Sequence, residues 1–409
     1  ELSEPLATGR AEYAFPKARP TFRILHLTSS IAPSAGGPAT VVARLAAAQA
    51  AMGHHVTIVS SLDCAERASF EVSVRNIPYF DRVHLLLCPW TSHFQRWFGK
   101  RLSPIYESAL PFMDVLHIHG MWEPMLLVAA KLARKHKVPY IVRPCGTLDP
   151  WSLGQSRWKK RVALAVSRKK MLDGAALIHT LNKEEARLIE PLHIAAPSAI
   201  IPNGVFLDEI DDTPSDDRLF ARFPALLEHP YILFLGRLHH KKGLDILAEA
   251  FGRIAGVHRD VHLLVAGPDR GAQRAFLREI QRLGLRERVH IAGPLVGPAK
   301  LTAYRNATCF CLPSRQEGFS LSITEALATR VPVAISTECH FPEVKEIGAG
   351  VVFPLNGKNA AEGLNAILTA TAPERIRMGN AGRKLVEEQL TWERIAGMTL
   401  EAYGRLIPE

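Results

Sequence analysis

Two series of short apolar runs constrain the fold of this chain more than any other feature of its sequence. Both series alternate with helix-forming sequence, and near-continuous apolar strands of this kind are typical of parallel sheets covered by helices on both faces. The sequence therefore predicts an α/β fold in which two Rossmann-like, doubly wound parallel-sheet domains face each other across a cleft. The strand candidates are 23–29, 56–61, 83–88, 114–120, 140–146 and 176–181 in the first series, and 231–238, 261–267, 289–293, 308–314, 331–336 and 350–354 in the second.

The boundary between the predicted domains lies near residues 200–211, where Pro202, Asn203 and Gly204 form a turn signal before an acidic stretch. A length of 409 residues suits two domains of ordinary size. We expect four segments: a tail over 1–21, an N-terminal domain over 22–203, a C-terminal domain over 204–390, and a final amphipathic helix over 391–409.

The charge and the cysteines narrow the class of protein. A formal net charge of +10 favours an anionic partner, such as a nucleotide, a phospholipid surface, an acidic glycan or a nucleic acid, and a merely basic soluble protein is the alternative. The six cysteines show no metal-ligand spacing, so we expect free thiols, no metal site and a cytoplasmic location. No apolar run reaches the roughly 18 residues that span a membrane, and residues 1–15 lack the features of a signal peptide.

A glycine pair after the first predicted strand is a candidate anion site. The stretch SSIAPSAGG leads into a helix that Pro38 opens. Gly36 and Gly37 let backbone N–H groups approach an anion at the positive end of that helix. An ordinary tight turn explains the same residues, because neither common glycine-rich phosphate pattern is present.

Arg237 and Lys242 flank a short loop in LGRLHHKKG, after the first strand of the second series. Arginine offers two parallel donors to phosphate oxygens, and lysine offers a compact charge. The two cations together suit a diphosphate, and two solvated surface cations are the alternative interpretation.

Two glutamates stand eight residues apart in QEGFSLSITEALA. Glu317 lies in a polar loop after strand 308–314, and Glu325 lies in a helix predicted from about Ser320 to Ala328, whose first N–H groups attract a pyrophosphate. Five helical residues and a short turn put the carboxylates on the order of 10 Å apart, which matches the span from ribose to hexose in a nucleotide sugar. Carboxylates accept hydrogen bonds from sugar hydroxyls, although two unrelated surface glutamates remain the alternative.

Taken together, PNGV, GRL followed by three residues and KG, PSRQEGFSLSITEALA and VPVAIS resemble the family 4 retaining glycosyltransferases, which have the GT-B fold. The resemblance covers nearly the whole chain, from RILHLTS to the last helix. It implies transfer of a hexosyl group from a UDP- or GDP-sugar to an acceptor hydroxyl, with retention of anomeric configuration and no required metal cofactor.

The resemblance also implies roles for individual residues of this sequence. Arg237 and Lys242 would hold the pyrophosphate, and Glu325 would bind the ribose hydroxyls. Glu317 and His119 would approach the donor sugar, although outside this context His119 reads as a satisfied loop histidine. The final helix would cross back to the N-terminal domain. The donor would also contact Gly36 and Gly37, the loop 290–295 with Ile291, and the amides of Gly318, Phe319, Ser320 and Leu321.

Several positions depart from the family pattern. Arg330 replaces a common glycine, Cys145 stands where histidine often precedes glycine, and residues 336–344 replace the usual Gly-Gly-x-Pro-Glu. Residues 143–160 resemble a variant found in enzymes that build exopolysaccharide or O-antigen units. We therefore expect a glycan or polyprenyl-linked acceptor in the synthesis of a bacterial surface polysaccharide or exopolysaccharide.

Two basic segments are suited to peripheral contact with the anionic inner face of the cytoplasmic membrane. Residues 157–170 carry seven Lys and Arg residues and no acid, with Trp158, Val162 and Ala165 on one helical side. Residues 93–101 add aromatic side chains among further cations. The alternative is a solvated helix whose apolar side joins the core.

Other functions fit the sequence less well. A nucleotide-sugar epimerase or synthase of the same architecture, acting on a soluble substrate, is the nearest alternative. A dinucleotide-dependent oxidoreductase would need the GxGxxG pattern. We expect no nucleic-acid partner, because the cations are spread out and no nucleic-acid-binding signature is present.

Overall fold

The protein is described by a computed structural model over residues 21–90, 103–154 and 157–407. Within these residues, seven strands form one parallel sheet and six form a second, which confirms the two doubly wound α/β domains. The first sheet contains β1 Arg23–Thr28, β2 His55–Asp63, β3 His84–Trp90, β4 Val115–His119, β5 Tyr140–Arg143, β6 Leu177–Thr180 and β7 Ser198–Ile200. The second contains β8 Tyr231–Leu235, β9 His262–Ala266, β10 Val289–Gly293, β11 Cys309–Leu312, β12 Val333–Ser336 and β13 Gly350–Phe353.

All twelve strand candidates correspond to observed strands. The sequence missed only β7 among the strands described, a three-residue edge strand whose side chains are half-buried or exposed. Such a strand has no apolar run, and therefore gives no signal of burial on both faces.

Helices connect the strands and cover both faces of each sheet. In the N-terminal part of the chain they are α1 Gly37–Ala51, α2 Arg67–Val74, α3 Ser103–Ala109, α4 Pro124–Lys135, α5 Pro150–Gly154, α6 Arg157–Ala163, α7 Lys169–Asp173 and α8 Lys183–Ile189. In the C-terminal part they are α9 Leu207–Asp211, α10 Arg218–Arg222, α11 Ala225–Glu228, α12 Leu244–Ile254, α13 Gln273–Arg282, α14 Gly297–Arg305, α15 Leu321–Ala328, α16 Glu343–Glu346, α17 Gly357–Thr369, α18 Ala372–Gln389 and α19 Trp392–Gly404.

The strand orders place a switch point in each sheet. The first sheet runs β3-β2-β1-β4-β5-β6-β7 and the second runs β10-β9-β8-β11-β12-β13. The order therefore reverses between β1 and β4, and between β8 and β11. Ligands of open α/β sheets bind beyond the carboxyl ends of the strands at such points.

The last helix returns to the first domain. Trp392, Ile395 and Tyr403 of α19 are fully or almost fully buried in the same apolar cluster as α1 and β1. Two chain crossings lie side by side, because the Val205 amide donates to the Leu390 carbonyl at 2.9 Å and the Trp392 amide donates to the Val205 carbonyl at 3.0 Å. We propose the domain boundary at residues 203 and 204, which adjoin this crossing.

Candidate active site

The glycine loop of the first domain faces Arg237 of the second. Gly36 has φ 76°, which favours glycine, and it caps α1 beside Pro38. A side-chain carbon added at Gly36 would lie 4.0 Å from the Arg237 guanidinium, whereas one at Gly37 would meet nothing within 4 Å. Arg237 is exposed after β8, and its guanidinium has no hydrogen-bond or ion-pair partner among the described residues. A cation and a helix start thus share one edge of the cleft.

Lys242 forms a buried ion pair with Glu317. The Lys242 Nζ lies 2.6 Å from Glu317 Oε1, and the two side chains are 13% and 8% exposed. The Ser314 hydroxyl donates to the same carboxylate oxygen at 2.5 Å. Burial opposes ionisation of Glu317, but Lys242, Lys241 and the Ser314 hydroxyl outweigh it, so the pKa of Glu317 is lowered. Glu317 is therefore an ionised acceptor already held in place, and Lys242 retains two further N–H donors.

The start of α15 supplies unpaired backbone donors. The helix begins at Leu321 with Ser320 as its N-cap, and no side chain caps it, close to the predicted start at Ser320. Among the described residues, the amides of Gly318, Phe319 and Ser320 have no backbone partner outside the helix ladder. The first N–H groups of a helix carry partial positive charge and bind anions.

Glu325 lies one turn into α15 and is held by α14. Its carboxylate accepts from Lys300 Nζ at 2.7 Å and from the Tyr304 hydroxyl at 3.2 Å. The side chain is 18% exposed, so part of the carboxylate faces solvent. Sequence reasoning missed Lys300 and Tyr304, because they lie 25 and 21 residues away from Glu325 on another helix.

The structure places His119 beneath the surface of the first domain. It ends β4 and is 3% exposed. Its Nε2 lies 2.9 Å from His26 Nδ1, and its Nδ1 lies 3.4 Å from a guanidinium nitrogen of Arg143. Burial, then the neighbouring His26, Arg143 and His179, keep the pKa of His119 well below its ordinary value. Both ring nitrogens are engaged within the protein, so a role at the donor sugar stays a prediction.

The predicted base-binding strand adjoins the same cleft edge. Ile291 lies in β10 and packs, half-buried, against the apolar core of the second domain. The Gly267 amide donates to the Gly293 carbonyl at 2.8 Å, so the ends of β9 and β10 are tied together. A side-chain carbon at Gly267 would collide with the Gly236 carbonyl, which brings the end of β8 beside them.

A direct contact between the domains closes one side of the cleft, and no motif in the sequence predicts it. A side-chain carbon at Gly146 would lie 2.8 Å from Gly318 Cα. The Asn182 side-chain amide donates to the Gly318 carbonyl at 2.8 Å, and the Gln316 side-chain amide donates to the Asp149 carboxylate. Only glycines allow this approach, because any Cβ would separate the two backbones.

The structure describes only one of the two basic segments. Residues 93–101 lie outside the described residues. In α6 and the π-helical turn Leu164–Arg168 that continues it, Trp158, Val162 and Val166 are 69%, 54% and 70% exposed, so an apolar stripe points outward. The side chain of Ala165 is outside the described set. Among the described helices, none combines the length and apolar character that a membrane crossing requires.

Two facing Rossmann-like domains, with a cationic loop and a helix start at the switch point of the second, define the GT-B class of glycosyltransferases. The family described as "Glycosyl transferase 4-like domain" matches residues 36–204, and "Glycosyl transferases group 1" matches residues 216–385. The two matches together span most of the chain. The protein belongs to the family 4 GT-B glycosyltransferases and is a transferase enzyme.

Known relatives agree with this assignment. An uncharacterised glycosyltransferase of Methanocaldococcus jannaschii is 31% identical over 175 residues, which are 42% of this chain and 44% of that protein. An MMP alpha-(1->4)-mannosyltransferase of Mycolicibacterium hassiacum is 24% identical over 91% of this chain and 95% of that protein. The structure of Anabaena HepE in complex with UDP-glucose superposes with a TM-score of 0.72 at 17% identity, covering 94% of this chain and 100% of that chain. The chain thus spans less than half of the archaeal relative and almost all of the other two.

Proposed function

We propose that the protein transfers a hexosyl group, with retention, from a UDP- or GDP-sugar to a hydroxyl of a glycan or polyprenyl-linked acceptor. The setting would be the synthesis of a bacterial surface polysaccharide or exopolysaccharide, at the cytoplasmic face of the membrane. One observation carries the proposal. Arg237, the Lys242–Glu317 pair and the start of α15 converge beyond β8 and β11, opposite the glycine loop of the first domain.

The cations and the helix start would stabilise the leaving nucleoside diphosphate. Negative charge develops on its phosphate oxygens as the bond to the sugar breaks. Arg237 offers a planar pair of donors, and Lys242 offers the N–H groups that Glu317 does not use. Donors fixed before the reaction stabilise such charge without reorganisation, so the residues present require no metal ion for this task.

The two glutamates would fix the ends of the donor. Glu325 is partly exposed beside Lys300 and Tyr304, and a carboxylate of this kind accepts from both hydroxyls of a ribose. Glu317 would accept from hydroxyls of the hexose. Because Lys242 and Ser314 keep Glu317 ionised and oriented, we assign it sugar positioning rather than proton transfer.

Retention follows from attack on the face that the diphosphate leaves. We name no enzymatic nucleophile. The leaving phosphate would instead assist the attack of the incoming hydroxyl. Closure of the domains at Gly146 and Gly318 would exclude water, which otherwise hydrolyses the donor. The relative named as a mannosyltransferase and the HepE complex with UDP-glucose support a hexosyl donor.

The test is a transfer assay with defined donors. The full chain is incubated with UDP- or GDP-hexoses and a detergent-solubilised polyprenyl-diphosphate-linked glycan, and products are analysed by mass spectrometry and by NMR of the new anomeric proton. We expect the acceptor to gain one hexose with the anomeric configuration of the donor. Epimerised nucleotide sugar, or a product made from a soluble acceptor alone, would instead support the epimerase or synthase alternative.

A membrane contact is the finer part of the proposal. Trp158, Val162 and Val166 recur every fourth residue and point outward, beside Lys170 on the same helical segment. Amphipathic helices with a basic rim and an aromatic anchor bind anionic interfaces. We expect Trp158→Ser with Val166→Ser to reduce sedimentation with phosphatidylserine vesicles. Val257→Ser, on an equally exposed valine of the second domain, is the control and should change nothing.

A further inference from the structure

Four buried histidines lie together in the centre of the first sheet. His26 comes from β1, His117 and His119 from β4, and His179 from β6, and each is at most 3% exposed. Neighbouring ring centroids are 4.3 to 5.4 Å apart. Imidazoles packed in an interior need a hydrogen-bond partner at each ring nitrogen, so the question is where those bonds run.

The contacts form one continuous series. It begins at a guanidinium on β5, passes through two rings to an amide on α1 and a phenol on α19, and returns through two rings to a backbone carbonyl. The links are Arg143 Nη1 to His119 Nδ1 at 3.4 Å, His119 Nε2 to His26 Nδ1 at 2.9 Å, His26 Nε2 to Gln49 Oε1 at 2.7 Å, Gln49 Nε2 to the Tyr403 hydroxyl at 3.3 Å, that hydroxyl to His117 Nδ1 at 2.7 Å, His117 Nε2 to His179 Nδ1 at 3.2 Å, and His179 Nε2 to the Ile201 carbonyl at 2.7 Å.

The far end of the series, the Ile201 carbonyl, fixes the direction of the donors in its half. The Ile201 carbonyl only accepts, so His179 donates from Nε2, and its Nδ1 then accepts from His117 Nε2. A neutral His117 that donates from Nε2 must accept at Nδ1, and therefore the Tyr403 hydroxyl donates to it. The Tyr403 oxygen is left to accept from the Gln49 amide.

The near end of the series, the Arg143 guanidinium, independently fixes the direction of the donors in the other half. Arg143 has donors only, so His119 accepts at Nδ1 and donates from Nε2. His26 therefore accepts at Nδ1 and donates from Nε2 to Gln49 Oε1. The guanidinium at one end and the carbonyl at the other thus require the same orientation of the Gln49 side-chain amide, so the two halves do not conflict.

We propose that these side chains form a single directional hydrogen-bond chain in which all four imidazoles are neutral Nε2–H tautomers, and that Gln49 and Tyr403 are thereby positioning residues for His119. The kinetic part of this inference rests on the proposed function and on the role at the donor sugar that the family resemblance implies for His119. The chain makes the last helix part of the site, because Tyr403 of α19 joins its two halves.

The chain also solvates a buried charge. Arg143 is 2% exposed and has no ion-pair partner among the residues that the structure describes. Its acceptors are the neutral His119 ring and the Asn203 side-chain oxygen. Aligned hydrogen bonds that lead away from a cation polarise one another and turn their negative ends toward it.

A metal ion is the competing occupant. The ligand atoms of His26, His117 and His119 all lie within 4.8 Å of one another. Metal ligation needs free ring lone pairs, whereas in this arrangement the Nδ1 atoms of all three accept from N–H or O–H donors. The Arg143 guanidinium beside His119 would also repel a cation.

NMR of histidine-labelled protein tests the chain without any activity. The full chain, labelled with ¹⁵N at the histidine rings, should show four Nε2–H tautomers that stay neutral from pH 8 to pH 6. Tyr403→Phe removes the linking hydroxyl and should shift the ring signals of His26 and His117. A tautomer protonated at Nδ1 within the four, a titration in this range, or stoichiometric Zn²⁺ or Co²⁺ binding that the double variant His26→Gln, His117→Gln abolishes would overturn the chain.

A matched tyrosine separates positioning from stability. Tyr140 is equally buried in the same domain, and its hydroxyl donates to the Met171 carbonyl at 2.8 Å, away from the chain. Each Phe variant therefore loses one buried hydroxyl. We expect Tyr403→Phe to lower kcat by about tenfold with the donor KM changed less than about twofold, because misplaced groups slow the reaction more than binding. Tyr140→Phe should leave both constants and the ring signals unchanged.

The NMR spectra and the kinetic measurements test separate parts of the account. If no donor supports turnover, the proposed function fails, and the NMR spectra still decide the hydrogen-bond chain. If the spectra fit the chain but Tyr403→Phe and Tyr140→Phe have equal kcat values, the positioning role is overturned.

Discussion

The two domains share a parallel-sheet design but fill its centre with different chemistry. In the first sheet, the central strands bury histidines such as His26 and His117. In the second, the matching strands bury Phe234, Phe310 and Cys311, and the histidine pair His262 and His290 lies near the strand beginnings. An apolar centre needs only good packing, whereas a polar centre needs a complete set of partners. The first domain should therefore respond to changes that the second tolerates.

Acidification should produce the largest difference in stability between the two domains. Burial lowers the pKa of His26 to about 4 and of His179 to about 3, and it keeps the pKa values of His117 and His119 well below their ordinary value. The unfolded chain binds protons at these rings below about pH 6.5. The contribution of these histidines to the free energy of unfolding is therefore fully present above that pH. It falls as the pH drops toward 4, by about 1.4 kcal/mol per pH unit for each histidine.

Hydrogen exchange at pH 7.5 and 5.0, corrected for intrinsic rates, checks this prediction. Peptides from β1, β4 and β6 should lose protection before those from β8 and β11, because four strand histidines with lowered pKa values lie in the first domain and two, His262 and His290, lie in the second. Equal loss in both domains, or earlier loss in the second, would contradict it.

Removal of the two cations should have the next largest effect. Arg237→Met and Lys242→Met should each lower kcat/KM by about 10²–10³, because each removes a preorganised donor to the leaving diphosphate. Only Lys242→Met should also lower the free energy of unfolding, by about 3–5 kcal/mol, because it leaves Glu317 charged and buried without its partner. Steady-state kinetics and denaturant titration measure the two effects.

Arg218→Met serves as the control for these variants. Arg218 is 87% exposed in the same domain. Activity loss in this variant comparable to that of Arg237→Met would show that net charge, rather than the site, matters.

Gly318→Ala should have a moderate effect on activity and little on stability. The new Cβ would lie 3.1 Å from Gly146 Cα, so the domains could not approach fully. We expect kcat to fall by about tenfold, with domain closure impaired and each core intact. Gly256→Ala, where an added carbon meets nothing within 4 Å, is the matched control, and an equal loss there would refute a closing contact.

The smallest expected change is a stabilisation of the second domain. Arg330 occupies the left-handed region at φ 60°, a conformation that favours glycine, which is the residue that the family resemblance leads us to expect at this position. Arg330→Gly should raise the free energy of unfolding by up to about 1 kcal/mol. Arg330→Ala keeps a Cβ and should give no gain, and thermal melts of both variants decide whether the strain is real.

Sequence reasoning succeeded where one segment carries its own signal. Apolar runs located all twelve predicted strands, since a strand buried on both faces is apolar along its length. The start of α15 was found within one residue, because a polar loop precedes an apolar helix there. The edge strand β7 was missed, because short exposed strands have no such pattern.

Contacts between distant segments were beyond the sequence. Lys300 with Glu325 and Gly146 with Gly318 join residues that only the fold brings together. The histidine chain left a signal in hindsight, since His26, His117 and His179 interrupt otherwise apolar strand candidates. A polar residue inside such a strand must find a partner, but the pattern does not say which one.

The most direct test of the account is stabilisation of the protein by nucleotide sugars. UDP-, GDP- and ADP-hexoses are added to wild type, Glu325→Ala and the control Gly256→Ala, and thermal unfolding is followed. A donor at 100 times its dissociation constant adds about 2.7 kcal/mol to the free energy of unfolding. The account predicts that one base series stabilises the wild type and the control but not Glu325→Ala. No stabilisation of the wild type by any nucleotide sugar at millimolar concentration would contradict the donor site.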